Sequence, residues 1–336
     1  MDSLLHHNTF GIEQYCKSLR EPDTEEELIR LLQELRGEPL LVIGGGSNLL
    51  LTKDYEGNVI HPTMKGISAF VDDDKILLRC CAGEVWDEVV AYAVGQGYNN
   101  MENLSYIPGE VGASAVQNIG AYGMEARDII YMIEAIEVAS GGKVYINPAD
   151  CKYGYRTSIF KTDWRGQYVV TAATYVLSHT FTPRLDYGNL RSVVSQQLQD
   201  EHRDISDVTA ADVRKAVIAI RKAKLPDPAV EGNAGSFFVN PVVPREKFEA
   251  LLTEYPDMPH YHIDDRYEKI PAGWMIEQCG WKGRTLGNAG VSEKQALILV
   301  NKGGATGAEV LRLCDTVRRD VFNKFGVMIY PEVNII

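Results

Sequence analysis

The sequence predicts an α+β protein made of three consecutive segments, residues 1–65, 66–223 and 224–336. Apolar residues recur at helical spacing in some stretches, whereas other stretches are rich in the β-branched and aromatic residues typical of strands. Two glycine-rich stretches separate such elements. The prolines within residues 224–228 cannot continue a helix, so they mark the boundary before the last segment.

The first segment contains a predicted helix and a glycine-rich turn. Thr24 and Glu27 have the spacing of a capping box, and leucines follow at helical spacing. Residues 39–43 predict a buried strand, and the glycine-rich residues 44–48 come directly after it. Successive glycine amides can converge on phosphate oxygens, so we expect an anion-binding turn. The pattern matches neither a Rossmann fingerprint nor a Walker loop.

The second segment combines predicted strands with two helices. Runs rich in β-branched and aromatic residues predict strands at residues 75–81, 131–138, 143–146 and 168–177. Val85, Val89 and Tyr92 share one face of a predicted helix, which Gly95 and Gly97 are expected to end. Thr209 is expected to cap the last helix of this segment.

The stretch Ile107–Gly123 is the most informative part of the chain. It contains four glycines and one proline, and Glu110 is its only charged residue. It is too poor in large apolar side chains for an ordinary core helix, and glycine allows close backbone approach to another molecule. We interpret it as backbone wrapped around a polar ligand, with an ordered surface loop as the alternative. Together with residues 44–48, it would suit a dinucleotide.

The last segment contains two predicted helices, near residues 245–255 and 307–325. The second has an apolar stripe at helical spacing, which predicts core packing. Residues 296–300 and 327–329 are interpreted as strands.

Composition excludes several classes of function. The net charge of −12 argues against binding to nucleic acid or to an anionic membrane, both of which favour a basic surface. The six cysteines form no C-x-x-C pair, as expected for reduced thiols in a cytoplasmic protein. We expect no signal peptide and no membrane span. His260 and His262 are interpreted as part of a polar loop, and no metal site is expected.

Seven motifs of this chain resemble those of the UDP-N-acetylenolpyruvoylglucosamine reductase (MurB) family. They lie at residues 8–12, 44–48, 107–123, 153–156, 224–228, 232–238 and 331–333. The resemblance implies an FAD-binding fold of the vanillyl-alcohol-oxidase/PCMH type, with two FAD-binding subdomains at 1–65 and 66–223. Residues 224–336 would be a C-terminal α+β substrate domain whose last residues pack back on the first subdomain.

The resemblance also implies a reaction in two halves. NADPH would reduce FAD, and reduced FAD would then give hydride to C3 of the enolpyruvyl group of UDP-N-acetylglucosamine enolpyruvate. A proton added to C2 would yield UDP-N-acetylmuramate, a peptidoglycan precursor. By resemblance, Ser236 is the proton donor, Arg156 stabilises the developing negative charge, and Glu332 is the catalytic glutamate. Because a carboxylate would repel that charge, we expect Glu332 to pair with Arg156 or to be protonated.

The remaining site residues are also implied by the resemblance. Those expected to bind FAD, without a covalent bond, are Gly44, Gly45, Gly46, Ser47, Asn48, Pro108, Gly109, Gly112, Ser114, Gln117, Asn118, Gly120, Ala121 and Tyr122. Those expected to bind substrate are Tyr122, Tyr187, Lys224, Asn240, Tyr261, Lys282 and Gln295. Tyr187 indicates the type of family member with a tyrosine-bearing substrate loop. A monomer is expected.

Two alternative functions share the same glycine-rich stretches. One is an oxygen-using flavin oxidase of the same fold, and the other is a non-catalytic nucleotide-sugar binding protein. The oxidase is not expected to need residues 232–236 together with Lys224 and Tyr187. The presence of Ser236, Arg156 and Glu332 in one chain argues against the binding protein.

Overall fold

The computed structural model describes all residues from Met1 to Ile336. The chain divides into two compact units. The first comprises Met1–Asp2, Cys16–Gly45 and Glu56–Ala223, and the second comprises Ser3–Tyr15, Gly46–Tyr55 and Lys224–Ile336. Two short parts of the first 65 residues therefore belong with the C-terminal segment. The division at residues 65 and 223 into three domains stays a prediction.

Eight α-helices are present. They are α1 Glu25–Glu34, α2 Trp86–Gly95, α3 Val111–Gln117, α4 Leu190–Asp200, α5 Ala210–Lys224, α6 Arg245–Glu254, α7 Ala272–Gln278 and α8 Gly307–Phe325.

Nineteen β-strands are present. They are β1 Asp2–Ser3, β2 Tyr15–Arg20, β3 Leu40–Val42, β4 Leu49–Leu50, β5 Tyr55–Ile60, β6 Ile67–Asp72, β7 Lys75–Cys81, β8 Gly120–Ala121, β9 Met124–Glu125, β10 Ile130–Glu137, β11 Lys143–Ile146, β12 Tyr168–Ser178, β13 Val242–Pro244, β14 Tyr261–Asp264, β15 Tyr267–Lys269, β16 Thr285–Leu286, β17 Ala289–Val291, β18 Leu299–Asn301 and β19 Asn334–Ile335.

The first unit is built around a five-stranded antiparallel sheet in the order β11-β10-β12-β7-β6. A smaller sheet has the order β1-β2-β5-β3, and β3 runs parallel to β5. Helix α1 buries Leu28 and Leu32 against Ile60 of the smaller sheet and Ile136 of the larger one. The predicted cap of α1 is confirmed, because the Thr24 hydroxyl accepts a hydrogen bond from the amide of Glu27.

The predicted helix is α2, and its buried side contains Trp86. Trp86, Val89 and Val90 are fully buried, whereas Val85 is 38% and Tyr92 is 39% exposed. The helix begins at Trp86, and the Trp86 indole donates to the carbonyl of Leu104 at 2.9 Å. This large buried ring sets which side of α2 faces the sheet.

The glycine-rich stretch contains a helix where we expected none. Four of the seven residues of α3 are glycine, alanine or serine, and they allow the helix to approach the sheet closely. A Cβ atom on Gly112 would lie 3.0 Å from that of Ala82. The stretch is therefore part helix and part turn.

The second unit is organised around the apolar stripe of α8, which is buried as predicted. Val310, Leu313, Val317 and Phe325 pack in one core with α6, α7 and the sheet β16-β17-β18. Strand β19 pairs in parallel with β4. The second predicted strand, at residues 327–329, is not formed. There, the Ile329 carbonyl accepts a hydrogen bond from the Arg318 guanidinium at 3.0 Å.

Gly307 should tolerate no side chain, because an added Cβ would overlap the carbonyl oxygen of Leu51. We expect Gly307→Ala to lower the free energy of unfolding by about 1–3 kcal/mol, as overpacking does. Urea denaturation provides the measurement. Gly95→Ala is the matched control, since Gly95 is also helical and an added Cβ there would meet no heavy atom within 4 Å beyond its own helix. It should be neutral or stabilising, and equal losses for both variants would contradict the explanation.

Asp212 should stabilise the start of α5 in a pH-dependent way. Its carboxylate accepts two hydrogen bonds from Arg203, at 2.9 and 2.8 Å, which lower its pKa to about 2. A depressed pKa adds stability above the unfolded value of 3.8, and this stability is lost as the pH falls towards 2. We expect Asp212→Asn to cost about 2 kcal/mol at pH 7, with a difference that shrinks on acidification.

The control for this measurement is Glu201→Gln. Glu201 also pairs with Arg203, at 3.1 Å, but its side chain is 40% exposed. Exposed pairs contribute little, so this variant should stay close to the wild type. A pH-independent effect of Asp212→Asn would show that the charge is not its cause.

Candidate functional site

The glycine turn after β3 presents two backbone amides of the first unit. Neither the Gly44 nor the Gly45 N–H donates to a protein acceptor. A Cβ atom on Gly44 would lie 3.1 Å from a carboxylate oxygen of Glu110, so a larger residue would disturb the turn. Two adjacent unpaired donors fit a phosphate group, and thus they fit the pyrophosphate of FAD.

The carboxylate beside this turn is paired with a histidine. The two oxygens of Glu110 lie 3.0 and 3.1 Å from Nε2 of His61, and Nδ1 of His61 lies 2.9 Å from Glu21. Burial by itself lowers the pKa of His61, but the hydrogen bonds with the two glutamates outweigh it, and the pKa is raised above 6.5. The pairing with Glu110 therefore favours the protonated form of His61 next to the turn.

The rest of the turn belongs to the second unit. Gly46 has a φ of +64°, and an added Cβ would overlap the carbonyl oxygen of His7. Glycine is therefore required at position 46 by the close approach of the His7 backbone, whether or not a ligand binds. Ser47 is partly exposed, and the carbonyl of Asn48 accepts hydrogen bonds from Asn334.

Two polar side chains of the stretch 107–123 are buried and form hydrogen bonds with other protein groups. The Ser114 hydroxyl is 1% exposed, donates to Val111 and lies 2.9 Å from the Tyr175 hydroxyl. Asn118 is fully buried and donates to Glu125 and to the carbonyl of Gly154. Contact of these two residues with FAD stays a prediction.

The other residues of this stretch are more accessible. Pro108 is exposed, and Gln117 and Ala121 are partly exposed. Gly109 has a φ of +110°, and its carbonyl accepts the Trp86 amide at 3.0 Å.

Arg156 is fixed in the first unit by a backbone carbonyl. Its Nη2 donates to the oxygen of Gly120 at 2.6 Å, and its guanidinium lies 5.3 Å from the ring centre of Tyr155. A Cβ on Gly120 would lie 2.8 Å from Nη1, so the absence of a side chain there makes room for Arg156. The structure thus joins two predicted site residues.

Tyr122 and Tyr187 lie next to each other in the first unit. Tyr122 and Gly123 link β8 to β9 with φ values of +48° and +78°, as in a two-residue hairpin turn of type I′. The two tyrosine rings are 6.0 Å apart at 76°. Burial raises the pKa of the Tyr122 phenol, partly opposed by the charge of Arg221.

Sequence reasoning missed Arg221. This residue of α5 donates from Nε to the carbonyl of Tyr106 at 2.9 Å, and its charge interacts with Tyr122 and Arg156. Burial, followed by repulsion from Arg156 among other charges, lowers its pKa. Its position three residues before Lys224 was the only available signal. The structure therefore adds a guanidinium whose charge interacts with Tyr122.

Ser236 is exposed between buried neighbours in the second unit. Ala234 is 4% and Phe237 is 0% exposed, whereas Ser236 faces solvent. Asn233 accepts the Gly235 amide at 2.9 Å, and Gly235 has a φ of +69°. This turn and the buried phenylalanine fix the direction of the Ser236 side chain.

Glu332 lies on the chain segment next to Ser236. Its amide donates to the Phe237 carbonyl at 2.8 Å, and Phe238 forms a β-bridge with Pro331. The structure thus brings together the backbones of two predicted catalytic residues that are far apart in sequence.

The predicted substrate residues of the second unit differ in exposure and in the partners that their side chains already have within the protein. Asn240 accepts the Ala272 amide at 2.9 Å, and Gln295 accepts the Leu297 amide at 3.4 Å. Lys282 pairs with Glu277 at 3.0 Å, but exposed pairs of this kind exchange easily. Tyr261 is 43% exposed, and Lys224 is exposed at the end of α5.

Comparison with known proteins identifies both parts of the chain. Residues 17–145 match the FAD binding domain family, and residues 227–336 match the UDP-N-acetylenolpyruvoylglucosamine reductase C-terminal domain. A reductase of that name from Thermus caldophilus, solved by crystallography, has a TM-score of 0.66 at 22% identity, with 99% of this chain and 96% of that chain covered. The predicted α+β fold with FAD-binding and C-terminal parts is confirmed.

Curated relatives agree over nearly the whole length. The UDP-N-acetylenolpyruvoylglucosamine reductase of Bacteroides fragilis is 51% identical, and that of Flavobacterium johnsoniae is 41% identical; each alignment covers 99% of this chain and 98% of the relative. None of the helices is long and apolar enough to cross a membrane. The identities and the two domain matches together establish that the chain belongs to the UDP-N-acetylenolpyruvoylglucosamine reductase family.

Proposed function

We propose that this protein reduces UDP-N-acetylglucosamine enolpyruvate to UDP-N-acetylmuramate with NADPH, for peptidoglycan precursor synthesis. As a member of its family, the chain is an FAD-dependent oxidoreductase. The observation that best supports the proposal is the hydrogen bond from the Glu332 amide to the Phe237 carbonyl at 2.8 Å. It joins the chain segments of Ser236 and Glu332, which a non-catalytic binding protein would not need together, and the Ser236 segment is one that an oxidase would not need.

The residues of the glycine turn are proposed to hold the cofactor. The amides of Gly44 and Gly45 bind its pyrophosphate, and the backbone of residues 107–123 lies along the rest of the molecule. FAD, when bound, supplies the chemistry that accepts hydride from NADPH and gives it to C3 of the enolpyruvyl group.

Ser236 then donates a proton to C2, so that the carbon–carbon double bond gains one hydride and one proton. An unassisted hydroxyl is a weak acid, but the carbon next to an enolised carboxylate is a strongly basic acceptor. Arg156 stabilises the charge on that carboxylate, because its planar guanidinium is already oriented by Gly120. Glu332 is proposed to pair with Arg156 or to be protonated during the reaction.

The nucleotide sugar carries several negative charges, and the proposed binding residues offset them. Lys224 and Lys282 provide cations for the diphosphate, and Arg221 adds a further cation near Tyr122. The exposed Tyr187 ring covers the nucleotide. Asn240, Tyr261 and Gln295 complete the proposed set.

We also propose a cytoplasmic monomer that binds neither nucleic acid nor membrane. The six free cysteines support a reducing compartment. The net charge of −12 disfavours polyanionic partners.

An anaerobic absorbance experiment tests the function. NADPH is added to the purified flavoprotein, and then UDP-N-acetylglucosamine enolpyruvate is added. The flavin band should bleach and then return on the second addition. A band that returns only on admission of air would favour the oxidase, and flavin that NADPH cannot bleach would favour the binding protein.

Ser236→Ala should separate the two half-reactions. Flavin bleaching by NADPH should remain within about twofold of the wild type, whereas the return of the band should slow by at least about 100-fold, the usual contribution of acid–base catalysis. Stopped-flow absorbance measures both rates. Equal losses in both halves would contradict the role of Ser236 as proton donor.

A further inference from the structure

One buried asparagine connects the two tyrosine-bearing segments of the first unit. Asn103 is 0% exposed and lies in the short 3₁₀ helix Glu102–Leu104. Its Nδ2 donates to the carbonyl of Tyr122 and to the carbonyl of Arg184, each at 2.9 Å. A primary amide has two donor hydrogens, so both are used, and each serves a different segment.

The first hydrogen bond supports a strained turn. Tyr122 has a φ of +48°, a conformation that costs a non-glycine residue about 1–3 kcal/mol unless its surroundings hold it. Its carbonyl is the atom that Asn103 binds. The hydrogen bond therefore favours the turn that sets the direction of the Tyr122 ring.

The second hydrogen bond supports the segment that leads to Tyr187. Arg184 lies three residues before it, and the intervening Leu185 is 2% exposed. A Cβ on Gly123 would lie 3.6 Å from the Cβ of Tyr187, so this segment and the turn run close together. The spacing of the two tyrosine rings thus depends on a group that bridges their backbones.

Asn103 is itself held firmly. The Trp86 indole donates to Leu104, and the Ser105 hydroxyl donates to Glu102. Its own Oδ1 is buried and has no hydrogen-bond partner. An unpaired buried oxygen costs about 1–3 kcal/mol, so Asn103 is an unfavourable choice for filling space, and its two donated bonds account for its presence.

We propose that Asn103 is a positioning residue for the nucleotide-sugar site, acting through Tyr122 and Tyr187. The inference rests on the proposed function, in which both tyrosines contact the substrate. Asn103 itself touches no substrate. Its amide sets the relative position of the two rings that do.

Asn103→Ala tests this inference, with Asn99→Ala as a matched control. Asn99 is 7% exposed, lies on the same stretch and donates from Nδ2 to the carbonyl of His179 at 2.8 Å, but it reaches no tyrosine-bearing segment. On the FAD-containing enzyme, Asn103→Ala should raise the KM and the calorimetric Kd for UDP-N-acetylglucosamine enolpyruvate about tenfold, because both hydrogen bonds that set the spacing of the rings are lost. The kcat should stay within about threefold. Asn99→Ala should change the Kd less than twofold.

A double-mutant cycle shows whether the effect passes through the tyrosines. Added to Tyr122→Ala/Tyr187→Ala, the Asn103→Ala substitution should raise the Kd no further. A further tenfold rise would overturn the inference. If Asn103→Ala does not fold, Asn103→Ser serves instead, because its single donor can reach only one carbonyl. A folded Asn103→Ser with an unchanged Kd would also overturn it.

The two proposals fail differently. If the wild type binds no UDP-N-acetylglucosamine enolpyruvate, the proposed function fails, and the role of Asn103 fails with it. If the wild type turns over while Asn103→Ala matches Asn99→Ala, the function stands and only the inference is overturned.

Discussion

The hydrogen bonds of Asn118 are the interaction on which the candidate site of the first unit depends. This fully buried side chain donates to Glu125 and to the carbonyl of Gly154, and it accepts the Arg127 amide. It therefore joins the end of α3 to the chain that leads into Arg156. Because the carbonyl of Gly120, two residues after Asn118, fixes the guanidinium, a shift of this junction would move the cation. The glycine-rich stretch is thus a framework that positions other residues as much as a surface for a ligand.

The second unit uses backbone pairing for the same purpose. The buried Phe237 anchors the turn that exposes Ser236, and its carbonyl holds the amide of Glu332. Buried groups on both sides thus hold the backbone that carries Ser236 and Glu332. A fixed backbone is what the proposed proton transfer would need, since a displaced donor loses much of its effect.

Local charge, and not net charge, determines what the first unit can bind. The chain carries a net charge of −12, yet the guanidinium of Arg221 interacts with Tyr122 and lies close enough to Arg156 for the two charges to repel each other. At the glycine turn, Nε2 of His61 lies 3.0 Å from the carboxylate of Glu110. An acidic protein can therefore hold an anionic cofactor and an anionic substrate, because the field at each site is set by its nearest charges.

The sequence alone determined the helix cap at Thr24, strands such as β7, the stripe of α8 and the family motifs, because these depend on neighbouring residues. It did not determine the helix α3, which depends on a close approach to the sheet, or the buried side of α2, which the Trp86 ring sets. It also predicted a strand at residues 327–329, where the Ile329 carbonyl instead accepts a hydrogen bond from the Arg318 guanidinium. Arg221 and Asn103 also became visible only in the structure. Asn103 binds carbonyls 19 and 81 residues away, and no local pattern encodes such a contact. Only the packing of distant segments decides it.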